Sequence, residues 1–251
     1  MVERWCIVGE PRCGSHWLQS MLPKQCVLLD EITNYDMYTN VFWDYTYDND
    51  NFVKVSTEMP TEKLDRQQFM DKRAAQIKKI NPDQSLVAIL FCNESRMSYD
   101  NFIQTLEDCG FRFLFLERNM FDRALSHVIA NTTKIAHRYE NHKNPVPADA
   151  LGKITVQIDE WIEYLFNHYQ STEYRKHLFK NYKHLTVRYE HLLEDCLKNK
   201  IPIRDNKFIQ KTWAVEYKDA VTNFNELLDI YNGFIKYLPL YMSFLRKCRI
   251  I

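Results

Sequence analysis

The sequence predicts an α/β fold: a P-loop-type parallel β-sheet flanked by helices, with a largely helical C-terminal part. Three observations predict it. Short apolar runs alternate with stretches of helical periodicity, the pattern of parallel strands joined by crossover helices. One run, Leu86 to Phe91 (LVAILF), is uninterrupted and bounded by polar residues, as in a strand covered on both faces. The third is the run Arg4 to Val8 (RWCIV), which passes through a loop bounded by Gly9 and Gly14 into SHWLQSML, where Trp17, Leu18, Met21 and Leu22 fall at helical spacing. The chain has five glycines and two sit in this one loop, so the backbone there must turn sharply or pass close to another group.

After this first strand, loop and helix, Cys26 to Leu29 reads as a second short strand ending in Asp30-Glu31. Residues 32–60 are aromatic and acidic, with Tyr35, Tyr38, Phe42, Trp43, Tyr45, Tyr47 and Phe52. Such a stretch is either a lid or pocket wall or an ordinary packed excursion. Residues 61–80 read as a charged surface helix. The strand Leu86–Phe91 is followed by Asn93-Glu94-Ser95, and Ser98 to Cys109 by the helix stop Gly110. Phe111 to Leu116 (FRFLFL) is a further strand, running into Glu117-Arg118-Asn119. Phe121, Leu125, Val128, Thr132 and Ile135 then mark one helical face. Residues 140–150, with two prolines, read as a loop. Ile154, Ile158, Trp161, Ile162, Leu165, Phe166 and Tyr169 mark a long amphipathic helix, and Leu185 to Val187 a short strand before Arg188-Tyr189-Glu190. Beyond Lys200 the chain is mostly helical. Residues 1–251 are expected to form a single domain.

Composition narrows the classes. With 33 basic and 33 acidic residues the net charge is zero, which argues against general nucleic-acid binding and makes any anion site local. The seven cysteines form no C-x-x-C pair and leave one over, the usage of reduced thiols in a cytoplasmic protein without a zinc site. The expectation is a chain without a leader or a membrane span, because no apolar run has the length of one.

Gly9 and Gly14 are spaced as in the nucleotide-binding pattern G-x-x-x-x-G-K-S/T, but Ser15 and His16 stand where Lys and the magnesium-holding hydroxyl would be. That disfavours a metal-dependent triphosphate site. The cation lies inside the loop, as Arg12. Arg12, Glu31, Glu94, Arg118 and Tyr189 all fall just past strand ends, the rim at which open α/β sheets bind ligands. Five polar groups at one rim point to an enzyme.

Two of these segments resemble the sulfotransferase family that uses 3′-phosphoadenosine-5′-phosphosulfate (PAPS). PRCGSHWL is similar to the family's 5′-phosphosulfate loop, Pro, Lys or Arg, a hydroxyl residue, Gly, two hydroxyl residues, Trp, Leu. ERNMFDRALSH is similar to its 3′-phosphate motif, in which an Arg precedes a Ser by eight positions, as Arg118 precedes Ser126. TVRYEHLLED resembles the family's Tyr-Glu segment near the adenine, and KDAVTNFNELL its C-terminal Asn-Tyr/Phe-x-Glu-Leu helix. Cys13 replaces a hydroxyl residue, His16 a threonine and Met120 a proline, and the family's glycine-rich C-terminal adenine loop is not evident.

The resemblance implies sulfuryl transfer from PAPS to an acceptor hydroxyl or amine, releasing PAP, with no metal. Arg12, Cys13, Gly14, Ser15, His16 and Trp17 would form the 5′ loop. Arg118 and Ser126 would grip the 3′-phosphate, the planar guanidinium being suited to phosphate oxygens. Tyr189 would be an adenine wall or core residue. Arg118 has the alternative of an ion pair with Asp122 one turn on. A general base must take the acceptor's proton. Family members place it either on a Glu after the second strand, where Glu31 lies, or on a His near the position of Asn93-Glu94. Glu31 is the preferred base, Glu94 the second and His127 the third. The acceptor, a carbohydrate, lipid, peptide or small alcohol, is not legible. Competing readings are a catalytically inactive PAP-binding protein and a P-loop kinase.

Overall fold

The computed structural model describes residues 2–22, 26–33, 45–48, 51–54, 66–92, 99–133, 153–203 and 217–247. The chain runs β1 (Arg4–Gly9), α1 (Ser15–Met21), β2 (Val27–Glu31), β3 (Tyr45–Asp48), β4 (Asn51–Lys54), α2 (Arg66–Lys78), β5 (Leu86–Phe91) and α3 (Asp100–Asp108). It continues with β6 (Arg112–Glu117), α4 (Met120–Thr133), α5 (Ile158–Leu178), β7 (His184–Arg188), a 3-10 turn (Tyr189–His191), α6 (Leu192–Lys198), α7 (Tyr217–Ala220) and α8 (Phe224–Lys247). These gather into two compact units: Met1–Asn119 with His168–Ile209, and Met120–Asn167 with Gln210–Ile251.

The first unit holds a seven-stranded sheet in the order β4-β3-β2-β5-β1-β6-β7. From β2 to β7 the neighbours are parallel, and the β3–β4 hairpin is antiparallel. Every residue of β1 and β5 is buried, which is why both read as unbroken apolar runs. Strand alternation sends successive side chains to opposite faces. Cys6, Val8, Ala88, Leu90, Phe113 and Phe115 pack with Phe69, Met70 and Ile77 of α2 and Phe102, Ile103 and Leu106 of α3. Trp5, Ile7, Val87, Ile89, Leu114 and Leu116 pack with Leu18 and Met21 of α1 and Leu192 and Cys196 of α6. At the sheet's N-terminal edge the buried Arg4 donates to three carbonyls, Asn81 (2.6 Å), Cys109 (2.8 Å) and Gln84 (3.2 Å), a purely structural use of a cation.

The second unit is helical. Phe121, Leu125, Val128 and Ile129 of α4 pack with Trp161 and Leu165 of α5 and Leu227 of α8. Ile154 and Val221 form a parallel bridge, and the Asn223 amide donates to the Val156 carbonyl (2.9 Å) and accepts from the Val156 N–H (3.1 Å). The Asn at the head of the Asn-Phe-Asn-Glu-Leu segment is thereby explained as a backbone clamp ahead of α8.

The predicted fold class holds, and the differences are local. The amphipathic helix begins at Ile158, four positions after Ile154, because Ile154 spends its backbone on Ala220 and Thr222. The stretch 32–60 contains the β3–β4 hairpin, which the sequence reading did not foresee; the rest of that stretch, the loop 140–150 and Glu94 lie outside the described residues.

Candidate functional site

The site is located first by topology. β1 and β6 are parallel neighbours, paired from Trp5↔Arg112 to Val8↔Phe115. The chain leaves β1 towards β2, beyond β5, and leaves β6 in the opposite direction, towards β7. Adjacent strands whose connections diverge define the switch point, where ligands bind beyond the strands' C-terminal ends. Arg12 and Arg118 follow these two strands.

The loop after β1 is held in a demanding conformation. Cys13 N–H donates to the Glu10 carbonyl (3.2 Å), Arg12 has φ 68° and Gly14 φ 93°. A left-handed conformation costs a residue with a side chain roughly 1–2 kcal/mol, so the strained residue is the arginine at the rim. Both glycines are also sterically required. A Cβ on Gly9 would stand 2.6 Å from Cys13 Sγ, and one on Gly14 would stand 2.5 and 2.6 Å from two atoms of the Tyr189 ring. The Cys13 thiol is fully buried in the core beside Gly9, so its side chain serves packing. Ser15 is buried at the start of α1, and His16 is half-exposed.

Arg118 ties the two segments together. Its Nη1 donates to the Arg12 carbonyl (2.8 Å), and its guanidinium lies 4.3 Å from the Tyr189 ring centroid. The edge of Trp17 meets the same ring at 5.0 Å. Tyr189 is thus enclosed by Gly14, Trp17 and Arg118, three residues from two distant stretches of sequence.

Tyr189 is seated from below by an ion pair. Asp195 of α6 accepts from Arg188 N (2.8 Å), Nε (2.9 Å) and Nη2 (2.7 Å), fixing the exit of β7. Next to it, Asn119 N–H donates to Glu190 (2.8 Å), pinning the residue after Arg118 to the residue after Tyr189. The Arg188 side-chain hydrogen bonds hold the Asp195 carboxyl down at about 2. A depressed carboxylate stabilises the fold above its unfolded pKa, and that contribution is lost as pH falls through the folded value. Urea unfolding of the wild type should therefore lose stability between about pH 4 and about pH 2. Asp195→Asn should be less stable at neutral pH and show a shallower acid slope in that window. An unchanged slope would remove Asp195 as the source.

Glu10 and Arg175, which sequence reasoning missed, lie under the loop. Each is 1% exposed, and Arg175 Nη1 lies 3.9 Å from Glu10 Oε1. Thr172 Oγ1 donates to Glu10 (3.1 Å), and Arg175 also reaches the Leu116 carbonyl of β6 (3.4 Å). One guanidinium from α5 therefore joins the ends of both strands that carry the site. A buried pair of this kind adds little net stability but fixes geometry. No periodicity or spacing marks either residue.

Glu31 closes β2. One extra residue on β2 shifts its register on β5 between Leu28↔Val87 and Glu31↔Ile89. Bulges of this kind re-aim side chains at sheet ends. Just beyond, Ile32 N–H donates to the Ile89 carbonyl (2.9 Å), and the Thr33 hydroxyl donates to the Phe91 carbonyl (3.0 Å) and accepts from its N–H (3.2 Å). The Glu31 carboxylate, held on this clamped end, lies 4.0 Å from His16 Nε2.

Ser126 and His127 belong to α4 in the second unit. Ser126 is buried; His127 stacks on Tyr164 (4.0 Å, 24°), whose hydroxyl accepts from Asn131 Nδ2 (2.6 Å). Burial pushes the Cys26 and Cys196 thiols up to about 11, and the Cys6 and Cys92 thiols well above the usual range. Four of the described cysteines are therefore inert core groups near neutral pH. Among the described residues no group of three or more His, Cys, Asp or Glu is placed to hold a metal ion, and no helix is long and apolar enough to cross a membrane.

No protein-family model matches the chain, and no curated protein matches it. Among solved structures it is similar to mouse sulfotransferase SULT7A1 complexed with PAP, at 15% identity and a TM-score of 0.39. The match covers 82% of this chain, which spans 59% of that one.

Proposed function

We propose that residues 1–251 act as one PAPS-dependent sulfotransferase domain, moving the sulfuryl group of PAPS to an acceptor hydroxyl or amine and releasing PAP. The carrying observation is the 2.8 Å bond from Arg118 to the Arg12 carbonyl. It joins the two segments whose residues resemble the 5′- and 3′-phosphate motifs, at the switch point of a parallel sheet.

In this reading the loop amides, Arg12, Ser15 and His16 hold the 5′-phosphosulfate. Trp17 and Tyr189 wall the adenine. Arg118 and, by its motif spacing, Ser126 hold the 3′-phosphate. The acceptor oxygen attacks sulfur while the bond from sulfur to the bridging phosphate oxygen breaks, leaving its electron pair on PAP. Glu31 takes the acceptor's proton, with Glu94 as the alternative base. Cys13 departs from the family's hydroxyl and contributes packing. Rate then comes from positioning and from fixed donors facing the charge that develops on the leaving phosphate.

PAP should raise the thermal midpoint without added Mg²⁺, since a ligand that binds only the native state stabilises it by mass action. No shift at millimolar PAP, or a shift only with ATP and Mg²⁺, would overturn the reading. Arg118→Ala should weaken PAP by ~1.5–3 kcal/mol, the scale of a charged hydrogen bond. It should weaken adenosine 5′-phosphosulfate, which lacks the 3′-phosphate, far less. Equal losses by titration calorimetry would make Arg118 a structural tie alone.

A further inference from the structure

The outer surface of α8 changes character along its length. Between Phe224 and Asn232 its exposed positions are Asn225, Glu226, Leu228, Asp229 and Asn232, the usual mixture of a solvated face. From Ile235 onward they are Ile235, Lys236, Tyr237, Pro239, Leu240 and Ser243. Tyr237 is 57% and Leu240 69% exposed, while Leu238, between them, is buried. The helix is therefore docked through one side and apolar on another. Charge changes at the same point. After Asp229 the sequence has four basic residues, Lys236, Arg246, Lys247 and Arg249, and no acidic one, although the whole chain is neutral. The Lys236 ammonium lies 5.1 Å from the Tyr237 ring, at the edge of the apolar surface.

Exposed apolar residues bordered by lysine and arginine, with tyrosine between, are the features of a helix that lies in a bilayer interface. The apolar side chains enter the acyl boundary, and the basic heads stay at the lipid headgroups on their flexible stems. A second copy of the chain is the poorer occupant, because a symmetric contact would bring two uncompensated basic segments together. We propose that the C-terminal half of α8 is an interfacial anchor that docks this protein on an anionic phospholipid surface through Ile235, Tyr237 and Leu240. It is independent of the sulfotransferase reading and requires no membrane span.

The test is flotation of the full chain with phosphatidylcholine vesicles, with and without phosphatidylserine. Each basic residue near an anionic surface contributes about 1 kcal/mol, so the bound fraction should rise by about tenfold or more with phosphatidylserine and fall back at high salt. Leu240→Glu and Lys236→Glu should each reduce that binding while leaving the thermal midpoint unchanged, because both side chains are exposed. Absence of binding to either vesicle overturns the proposal. So does binding that ignores lipid charge, salt and both substitutions. A concentration-dependent dimer that Leu240→Glu abolishes, without flotation, assigns the surface to a second copy and also overturns it.

Discussion

Gly14→Ala is expected to lower PAP affinity by about tenfold or more, a loss of about 1.4 kcal/mol of binding or greater, and to lower the thermal midpoint. Two costs combine at this position. The backbone stands at φ 93°, and an added Cβ would fall 2.5 Å from the Tyr189 ring. The ring cannot yield without disturbing its neighbours, since Trp17 meets its edge and Arg118 lies over its face. Gly110 separates the two costs. It has φ 81°, but a Cβ there meets nothing within 4 Å. Gly110→Ala should therefore carry only the backbone penalty, roughly 1–2 kcal/mol of stability, and leave PAP affinity unchanged. Adding Tyr189→Ala to Gly14→Ala should recover part of the lost stability, giving a favourable coupling in a double-mutant cycle. If Gly14→Ala binds PAP like the wild type, the enclosure of Tyr189 has no bearing on the nucleotide.

The parts of this fold that were legible in the sequence are those whose burial is simple. β1 and β5 are covered on both faces and read as unbroken apolar runs, and α4 buries one side and reads at helical spacing. The rim was legible for the same reason: once strand ends are known, the residues following them are known. Arg12, Glu31, Arg118 and Tyr189 are found at strand ends in the described structure, within one compact unit.

What was not legible depends on partners far away in the chain. Ile154 matches the helical spacing of Ile158 and Trp161, yet its backbone pairs across to Val221. Tyr45–Asp48 and Asn51–Lys54 carry alternating β-forming residues on either side of Asn49-Asp50, residue types common in hairpin connections, but the surrounding acidic and aromatic stretch obscured them. Glu10 and Arg175 are ordinary charged residues in the sequence, and only the fold brings them to 3.9 Å in the core. The register shift in β2 is likewise invisible locally, although it sets where Glu31 emerges.

That placement of Glu31 carries the last expectation. Glu31→Gln preserves the size of the side chain and removes its capacity to take a proton. Turnover should fall by ~10²–10⁴, the usual contribution of general base catalysis, while PAP affinity stays nearly unchanged because the group is assigned to the acceptor. The neighbouring His16, with Nε2 4.0 Å from the carboxylate, is one group that fixes the side chain's electrostatic setting. Protonated, it would favour the charged carboxylate and weaken it as a base, so the wild-type rate should rise as His16 loses its proton. Glu31→Gln should flatten that rise. Single-turnover rates, with an acceptor found from a panel of carbohydrates, lipids, peptides and small alcohols, must be read beside PAP affinity, since a binding defect would imitate a chemical one. If Glu94→Gln is the inactive variant and Glu31→Gln turns over normally, the base is Glu94 and the sulfuryl-transfer scheme stands. If both variants are fully active, carboxylate base catalysis is wrong for this site, and His127 becomes the residue to substitute.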